Sequence, residues 1–274
     1  MKKIKSSHEV PLCLLEHSRQ YNDYQYCLPH LMDKYEEYKN FFLKCRDEGI
    51  HIMMDNSLHE LGTPYSKDRL LYWLEELKPQ EFFIPDYWQD KNQSLVSAKA
   101  WSQYQEQFPD TVFIPVVQGN SKEEALECFS IYKNHLGYKK IAFSYGASWY
   151  KDMVNYSTPH SERNTHVRTM LGRIEFITWL FELGFLDEHD NIHLLGCQLP
   201  QEFSFYEKEI RNIISTIDTS NPIMASIEGL EYTKFGLETK PVTRIDDVME
   251  IDLSLINLDL LNQNVLYFKT LNNL

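Results

Sequence analysis

The stretch that decides the fold class is "TVFIPVVQGNSKEEALECFSIYKNHLGYKKIAFSYG", residues 111–146. It begins with "TVFIPVVQG" and ends with "KKIAFSYG", two short runs rich in β-branched and aromatic residues, as strands are. Between them, Ser121 followed three residues later by Glu124 is a capping box, and Gly137 is a typical helix stop. A strand, a helix and a second strand in this order form a βαβ unit, which predicts that the two strands are parallel.

The same alternation of strands and helices continues on both sides of this unit. The predicted strands are 10–16, 50–55, 81–86, 111–119, 139–146, 191–200 and 214–218, and the predicted helices are 31–49, 66–78, 95–108, 121–137, 166–184 and 203–213. A weaker eighth unit is predicted from a strand at 240–245 and a closing helix at 253–268. The strands are apolar almost throughout, as strands buried on both faces of a parallel sheet are.

Two α/β architectures fit this order of elements, a doubly wound open sheet and a (β/α)8 barrel. We favour the barrel, because polar residues follow many different strands and a barrel brings all of these strand ends to one face. The length of 274 residues is also typical of one such barrel. The chain contains no repeat and no long linker, so residues 1–274 are predicted to form a single barrel domain with a degenerate eighth unit.

The composition indicates a soluble protein of the cytoplasm. Hydrophobic residues make up 43% of the chain, but no apolar run reaches the ~18 residues of a membrane span, and no signal peptide is recognisable. The five cysteines are scattered without a CxxC pair, which is typical of reduced thiols. The formal net charge of −13 is unusual for a protein that binds nucleic acid, so the positive charge for such a partner would have to be local.

Polar and small residues follow the predicted strands, where the chain turns. They are Glu16, Asp55, Asp86, Gln118 with Gly119, Gly146, Gly196 and Asp218. Each of them alone would usually be a helix cap or a turn residue, but at successive strand ends they predict one pocket with several carboxylates. Binding of a hard metal cation, binding of a phosphate and glycosyl transfer all remain open, although the chain has no Gly-rich loop and no HxH or HExxH motif. His51 and His193 lie on predicted strands, and we interpret both as core residues.

The order of several short motifs along the chain resembles the tRNA-guanine transglycosylase family. The motifs are "MMDNS" with Asp55, "FIPD" with Asp86, "PVVQGN" with Gln118 and Gly119, "FSYGA" with Tyr145 and Gly146, "HLLGCQLPQEF" with Gly196, and "STIDTSNP" with Asp218. The resemblance covers roughly residues 50–222, and "VVQG" and "HLLGCQLP" are its sharpest pieces. Members of this family exchange a guanine in nucleic acid for a 7-deazaguanine without an energy source.

The resemblance implies a role for each matching residue. Asp218 would be the nucleophile that attacks C1′ of the target nucleoside, and Asp55 would be the general acid and base. Asp86 would bind the guanine-like edge of the base, and Gln118 would donate to its O6 together with the backbone N–H of Gly146. The other members of the base-binding set would be Gly119, Tyr145 and Gly196.

The chain departs from the tRNA-modifying members of this family in three ways. The turn after Asp55 is not Gly-rich, only Gly146 stands where those enzymes have two glycines, and no cysteine follows Cys197, so the zinc subdomain of the family is missing. The sequence therefore resembles most the compact, zinc-free members that modify DNA in phages and in bacterial DNA-modification clusters. We expect no metal and no cofactor. The expected partners are DNA or tRNA and a free 7-deazaguanine base, with a second copy of the chain or a partner protein left open.

Two groups of basic residues follow the predicted fifth strand or lie at its start. They are Lys139, Lys140 and Lys151, and Arg163, His166, Arg168 and Arg173. Lys151, Arg163 and Arg168 are the candidates for contacts with phosphates, and the alternative is that both groups are solvated helix faces. Three other functions stay open: the same exchange on tRNA, a glycosyl transfer to nucleosides or nucleotides, which the negative charge would suit, and a non-catalytic partner subunit.

Overall fold

The computed structural model of the protein describes residues 3–154 and 165–272 and has an α/β fold. Its strands are β1 (Lys5–Ser7), β2 (Gln25–Cys27), β3 (Ile52–Met54), β4 (Glu81–Phe83), β5 (Val112–Ile114), β6 (Val116–Val117), β7 (Ile141–Ser144), β8 (Ile192–Leu195) and β9 (Ile214–Asp218). Its helices are α1 (Leu15–Ser18), α2 (Pro29–Lys34), α3 (Glu36–Asp47), α4 (Leu58–Leu61), α5 (Lys67–Leu77), α6 (Lys91–Ser102), α7 (Lys122–Asn134), α8 (Tyr150–Met153), α9 (Thr165–Glu182), α10 (Lys208–Ile213), α11 (Asn221–Ile227) and α12 (Leu258–Asn272). The strand pairs described below are parallel, which confirms the predicted α/β class.

The chain divides into two compact units, which we call the central unit (Leu15–Phe143) and the terminal unit (Met1–Leu14 with Ser144–Leu274). In the central unit, β2, β3, β4 and β5 form a parallel sheet in that order, and β6 pairs with β7. Strand β3 is buried along its whole length. On one face of the sheet, Phe82 packs against Trp101 of α6 with the ring centroids 5.3 Å apart. Burial of the strands on both faces accounts for their continuous apolar sequence.

In the terminal unit, β9 lies between β1 and β8 and is parallel to both. All five residues of β9 are buried. The register aligns Asp218 with Ser7 of β1 on one side and with Leu195 of β8 on the other. The carboxyl ends of the three strands therefore meet at Asp218.

Helices α8 and α9 of the terminal unit pack very closely, and a glycine makes this possible. The Cβ that an alanine would add at Gly172 would lie 1.9 Å from the backbone oxygen of Tyr150. Next to this contact, the rings of Trp149 and Phe176 meet edge to face, with their centroids 4.8 Å apart. The absence of a side chain at Gly172 thus determines how near the two helices can come.

The predicted first strand, 10–16, is wrong, because this segment is helical. Leu12–Leu14 forms a 3-10 turn that continues into α1, with the N–H of Leu14 donating to the carbonyl of Pro11. Proline is favoured at the first turn of a helix because its missing N–H is not needed there. Glu16 consequently lies on α1, where it is exposed and pairs with Lys44, and not at a strand end.

The predicted eighth strand, 240–245, is also wrong. Its backbone groups bind a side chain instead of a neighbouring strand: the N–H groups of Val242 and Thr243 both donate to Oε1 of Glu228, at 2.8 and 2.6 Å. Val242 is 85% exposed, so the segment has no buried apolar row that a central strand would need. The strands that sequence patterns missed are β1 and β2, which are only three residues long.

Two further expectations concern the chain as a whole. Among residues 3–154 and 165–272, no helix has both the length and the apolar character needed to cross a membrane. The five cysteines are all free thiols, as their scattered positions predicted.

Candidate functional site

Two clusters of buried polar side chains lie at the carboxyl ends of strands, one in each unit. The central cluster consists of Asp55, Asn56, Asp86 and Gln118, together with Tyr26, whose hydroxyl donates to Asp55. The terminal cluster consists of His193, Thr216 and Asp218. Every side chain in both clusters belongs to a residue that is less than one-tenth exposed.

In the central cluster, two amides hold the carboxylate of Asp86. Nδ2 of Asn56 donates to Oδ1 at 2.7 Å, and Nε2 of Gln118 donates to Oδ2 at 2.5 Å. A carboxylate offers about four acceptor positions on its two oxygens. Asp86 also accepts a hydrogen bond from its own backbone N–H, so its carboxylate keeps part of its acceptor capacity for a ligand.

The two carboxylates of the central cluster are easier to protonate than ordinary aspartates. Burial, which disfavours the charged form, raises the pKa of Asp86 to about 7, and the negative charge of Asp55 acts in the same direction. The hydrogen bonds from Asn56 and Gln118 oppose this rise. Burial likewise raises the pKa of Asp55, against the hydrogen bonds that it accepts. Carboxyl groups tuned towards neutral pH are suited to exchanging protons with a substrate.

The carboxylate of Asp55 is fixed by its own turn and by the neighbouring strand. The hydroxyl of Tyr26 donates to Oδ1 at 2.9 Å, and the N–H of Ser57 donates to Oδ2 at 2.8 Å. Ser57 has φ +62°, in the left-handed region that favours glycine. The turn after Asp55 thus contains a non-glycine residue with a glycine-like backbone, and strained backbone of this kind clusters at functional sites.

Gln118 and Gly119 lie at the start of the loop that leads to α7. Beside its bond to Asp86, Gln118 accepts at Oε1 from the N–H of Gln89 at 2.8 Å, so one N–H of its amide is left to donate elsewhere. Gly119 is the point where the first turn of α7 comes closest, since an added Cβ would lie 2.7 Å from the backbone nitrogen of Ala125. The sequence predicted both residues for the site, but not that Gln118 orients Asp86.

In the terminal cluster, a buried imidazole holds the carboxylate of Asp218. Nε2 of His193 lies 2.7 Å from Oδ1 of Asp218, and Nδ1 lies 2.8 Å from the hydroxyl of Thr216. The side chain of His193 is completely buried, whereas that of Asp218 remains 6% exposed. The interpretation of His193 as a core residue is confirmed by its burial. Sequence reasoning missed its contact with Asp218, for which the strand register would have been the signal.

Tyr145, Gly146 and Gly196 follow β7 and β8 in the terminal unit. The N–H of Tyr145 donates to the carbonyl of Leu195 at 3.0 Å, and its ring covers Gly196, where an added Cβ would lie 2.3 Å from the ring. Nζ of Lys240 lies 3.9 Å from the centroid of the same ring. Gly196 has φ +58°, so both its backbone and the ring above it require glycine.

Two of the basic residues expected to be available to a partner are structural instead. Lys140 is 3% exposed and binds both carboxylate oxygens of Glu81, and Arg173 is fully buried and binds Glu202 at 2.6 Å. Arg173 also donates to the carbonyls of Leu195 and Gly196, so it holds the turn after β8. The expectation of a basic surface is wrong for these two residues, because Lys140 neutralises the partly buried Glu81 and Arg173 neutralises the fully buried Glu202.

Three further basic candidates, Lys151, His166 and Arg168, lie on α8 and on the first turn of α9. Arg168 is half-buried and donates to the backbone oxygen of Lys151 at 2.9 Å, and Lys151 is exposed. Arg163 lies outside the described residues. His166 is half-buried, with Nδ1 2.8 Å from Oε1 of Gln198. Lys151 and Arg168 are therefore adjacent and form a small positive patch in the terminal unit.

An open groove of about 610 Å3 lies in the central unit. The chain neighbours of Asp86, Pro85 and Tyr87, contribute to its wall. Its other aromatic residues are Tyr65, Trp101 and Tyr104. Across the ring of Tyr104 lies Nζ of Lys67, 5.0 Å from the centroid. The groove combines aromatic surface with one positive charge.

Within the described ranges, 3–154 and 165–272, no group of three or more histidine, cysteine, aspartate or glutamate side chains is arranged to hold a metal ion. The thiol of Cys197, 3.4 Å from the hydroxyl of Thr219, is not a reactive group either, since burial raises its pKa to about 12. The polar groups that the two clusters offer are their carboxylates, the amides of the central cluster and the imidazole of the terminal cluster. Comparison of the chain with protein-family models and with curated protein sequences finds no matching family and no matching relative.

Proposed function

We propose that the protein is a base-exchanging transglycosylase that replaces a guanine in DNA by a 7-deazaguanine. The observation that carries the proposal is the pair formed by Asp218 and His193. A carboxylate that ends a buried strand, and that a buried imidazole orients, has the rigid support that a nucleophile needs. The central cluster adds the carboxylate of Asp86, which two amides orient, and a carboxylate is the acceptor that the two adjacent N–H groups of a guanine edge require.

The proposed reaction has two displacement steps at the same carbon. In the first, a lone pair of Asp218 forms a bond to C1′ while the C1′–N9 bond breaks, and guanine leaves with that electron pair and a proton from Asp55. In the second, Asp55 takes the proton from N9 of the incoming base, whose lone pair displaces Asp218 and restores the original configuration. The raised pKa of Asp55 favours its protonated form, which the first transfer requires.

We further propose that the strands form a (β/α)8 barrel. Strands β5 and β6 are separated only by Pro115 and can be counted as one, which leaves eight strands among the described residues. The parallel pairing of β1 with β9, the first strand with the last, is what closure of a barrel requires. In this barrel β9 with Asp218 is the eighth strand and not the seventh.

Nucleic acid is favoured over a free nucleotide by the aromatic groove, whose wall includes Pro85 and Tyr87, the chain neighbours of Asp86. Aromatic side chains with a nearby cation are typical of surfaces on which unpaired bases stack. Bases that flank the target could therefore bind along Tyr65, Tyr87 and Tyr104, while a mononucleotide would leave the groove empty. The patch of Lys151 and Arg168 offers contacts to phosphates elsewhere in the molecule.

Exchange of labelled guanine tests the proposal directly. The protein is incubated with single-stranded DNA, duplex DNA, tRNA, guanosine or GMP, each carrying labelled guanine, and with unlabelled 7-cyano-7-deazaguanine. We expect release of label from DNA and none from guanosine or GMP. Release from tRNA alone would mean that the substrate is RNA instead of DNA. No release from any substrate would overturn the proposed function.

A further inference from the structure

The imidazole of His193 contacts two residues of the neighbouring strand β9, one with each of its ring nitrogens. The register of β8 and β9 aligns His193 with Thr216 and Leu195 with Asp218. Nδ1 therefore meets the hydroxyl of Thr216, level with the ring, and Nε2 reaches Asp218 one pleat further along the strand. Both contacts are within 2.8 Å and both lie in the buried interior.

The partners of the imidazole determine where its proton lies. An ionised carboxylate can only accept, so the hydrogen bond to Asp218 places a proton on Nε2. The hydroxyl of Thr216 can donate to Nδ1, which leaves the ring neutral with both nitrogens satisfied. Because its side chain is completely buried, His193 cannot reach a substrate, and any effect on the reaction must act through Asp218.

We propose that His193 is a positioning residue for the exchange reaction: it holds the carboxylate of Asp218 through Oδ1 and stabilises this carboxylate each time the glycosyl bond to it breaks. This role rests on the proposed function. Thr216 takes part by fixing the tautomer and the orientation of the ring. The arrangement explains a threonine and a histidine, both polar, at the centre of a buried pair of strands.

The hydrogen bond from His193 acts more on the second step than on the first. It is strong to a carboxylate and weaker to the ester oxygen of the glycosyl intermediate. In the second step the electron pair of the C1′–O bond returns to Asp218. The hydrogen bond stabilises the carboxylate that forms there, and so makes Asp218 a better leaving group. Without it the intermediate should form and then persist, because release of the sugar to the incoming base slows down.

Three variants separate this role from a general effect on folding. His193→Leu removes both nitrogens, His193→Gln keeps an amide N–H near the position of Nε2, and Thr216→Val removes the hydroxyl at constant size. We expect kcat for base exchange to fall about 10- to 100-fold in His193→Leu. It should fall less than about fivefold in His193→Gln, with Thr216→Val between them. The fraction of enzyme in the covalent form at steady state should rise in the same order as kcat falls.

The test combines these kinetics with 15N NMR of the imidazole. The NMR measurement is made on the wild-type protein, so it needs neither enzymatic activity nor a folded variant. We expect His193 in the wild type to be protonated on Nε2 and unprotonated on Nδ1. The inference is overturned if His193 is protonated on Nδ1 alone. It is also overturned if His193→Leu has a wild-type Tm and the same steady-state fraction of covalent enzyme as the wild type. Should His193→Leu not fold, the same comparison is made between His193→Gln and Thr216→Val. A wild-type enzyme that exchanges no guanine overturns the proposed function itself, and the role of His193 with it.

Discussion

The protonation state of Asp86 determines which hydrogen-bonding groups a ligand can present to it. In the empty protein its pKa of about 7 means that a large part of the molecules carry the neutral carboxyl group at neutral pH. A guanine edge donates two N–H groups and therefore needs the ionised form. Binding of the base below pH 7 must then be accompanied by loss of a proton.

We predict that the affinity for guanine and 7-deazaguanine rises about tenfold per pH unit below pH 7 and levels off above it. Asp86→Asn should remove this dependence and weaken base binding about 5- to 150-fold, because an amide opposes one of the two donors. Calorimetric titration with base between pH 5.5 and 8.5 measures both effects. The affinity of Asp86→Asn for DNA without the target base serves as the control and should not change. An equal loss in both affinities would make Asp86 a structural residue.

Helix α9 contains two neighbouring residues that the packing of the terminal unit requires. Gly172 allows α8 to come close, and Arg173 pairs with the buried Glu202. Alanine in place of glycine inside a helix usually stabilises by about 1 kcal/mol. At Gly172 the added Cβ would meet a backbone oxygen, which cannot rotate away.

We therefore predict that Gly172→Ala lowers the free energy of unfolding by about 1–3 kcal/mol, against its helix propensity. Denaturation by urea measures the change. Glu182→Ala, at an exposed position of the same helix, is the matched control and should change stability by less than about 0.5 kcal/mol. A Gly172→Ala protein as stable as the wild type would mean that α8 and α9 can move apart freely.

Arg173 joins α9 to the turn after β8 and to Glu202. Arg173→Met would leave the carboxylate of Glu202 buried and unpaired, and we predict a loss of about 3–5 kcal/mol in stability. The double variant Arg173→Met with Glu202→Leu should recover part of it, since the buried charge is gone while the carbonyls of Leu195 and Gly196 remain without their donor. Arg168→Met, which removes one half-buried hydrogen bond, is the control and should cost less than about 1 kcal/mol. Additive losses in the double variant would contradict this account.

The elements show which parts of the molecule were predictable from sequence. Long apolar or amphipathic segments such as α5 and α7 were predicted correctly, because their periodicity and caps are local signals. Strand β1, "KSS", was missed because none of its residues is apolar and only its pairing with β9 defines it as a strand. Asp55, Asp86, Gln118 and Asp218 could be selected because a polar residue ending an apolar strand is visible in the sequence. Their partners Asn56 and His193 could not, since hydrogen bonds across strands depend on register.

For the whole molecule, the main physical constraint is the net charge of −13, which opposes binding of a polyanion. We predict that affinity for single-stranded DNA falls with salt, with a slope that the small patch of Lys151 and Arg168 largely determines. Lys151→Ala should reduce the slope of log K against log[salt] by about 1. Fluorescence anisotropy with a labelled oligonucleotide measures the slope, and Lys99→Ala, an exposed lysine of α6, is the control. Equal effects of both substitutions would show that the patch has no special role.

The central claim is that Asp218 forms a covalent bond to the sugar during base exchange. The most direct measurement starts from a reaction of the protein with guanine-containing DNA, which is quenched with denaturant. The protein and the DNA are then digested, and mass spectrometry locates the residue that carries the added mass. We predict that the adduct lies on Asp218, that Asp218→Asn forms none, and that Asp86→Asn, which keeps the nucleophile, still forms some. An adduct on a different residue, or one that Asp218→Asn forms as readily as the wild type, would contradict the account.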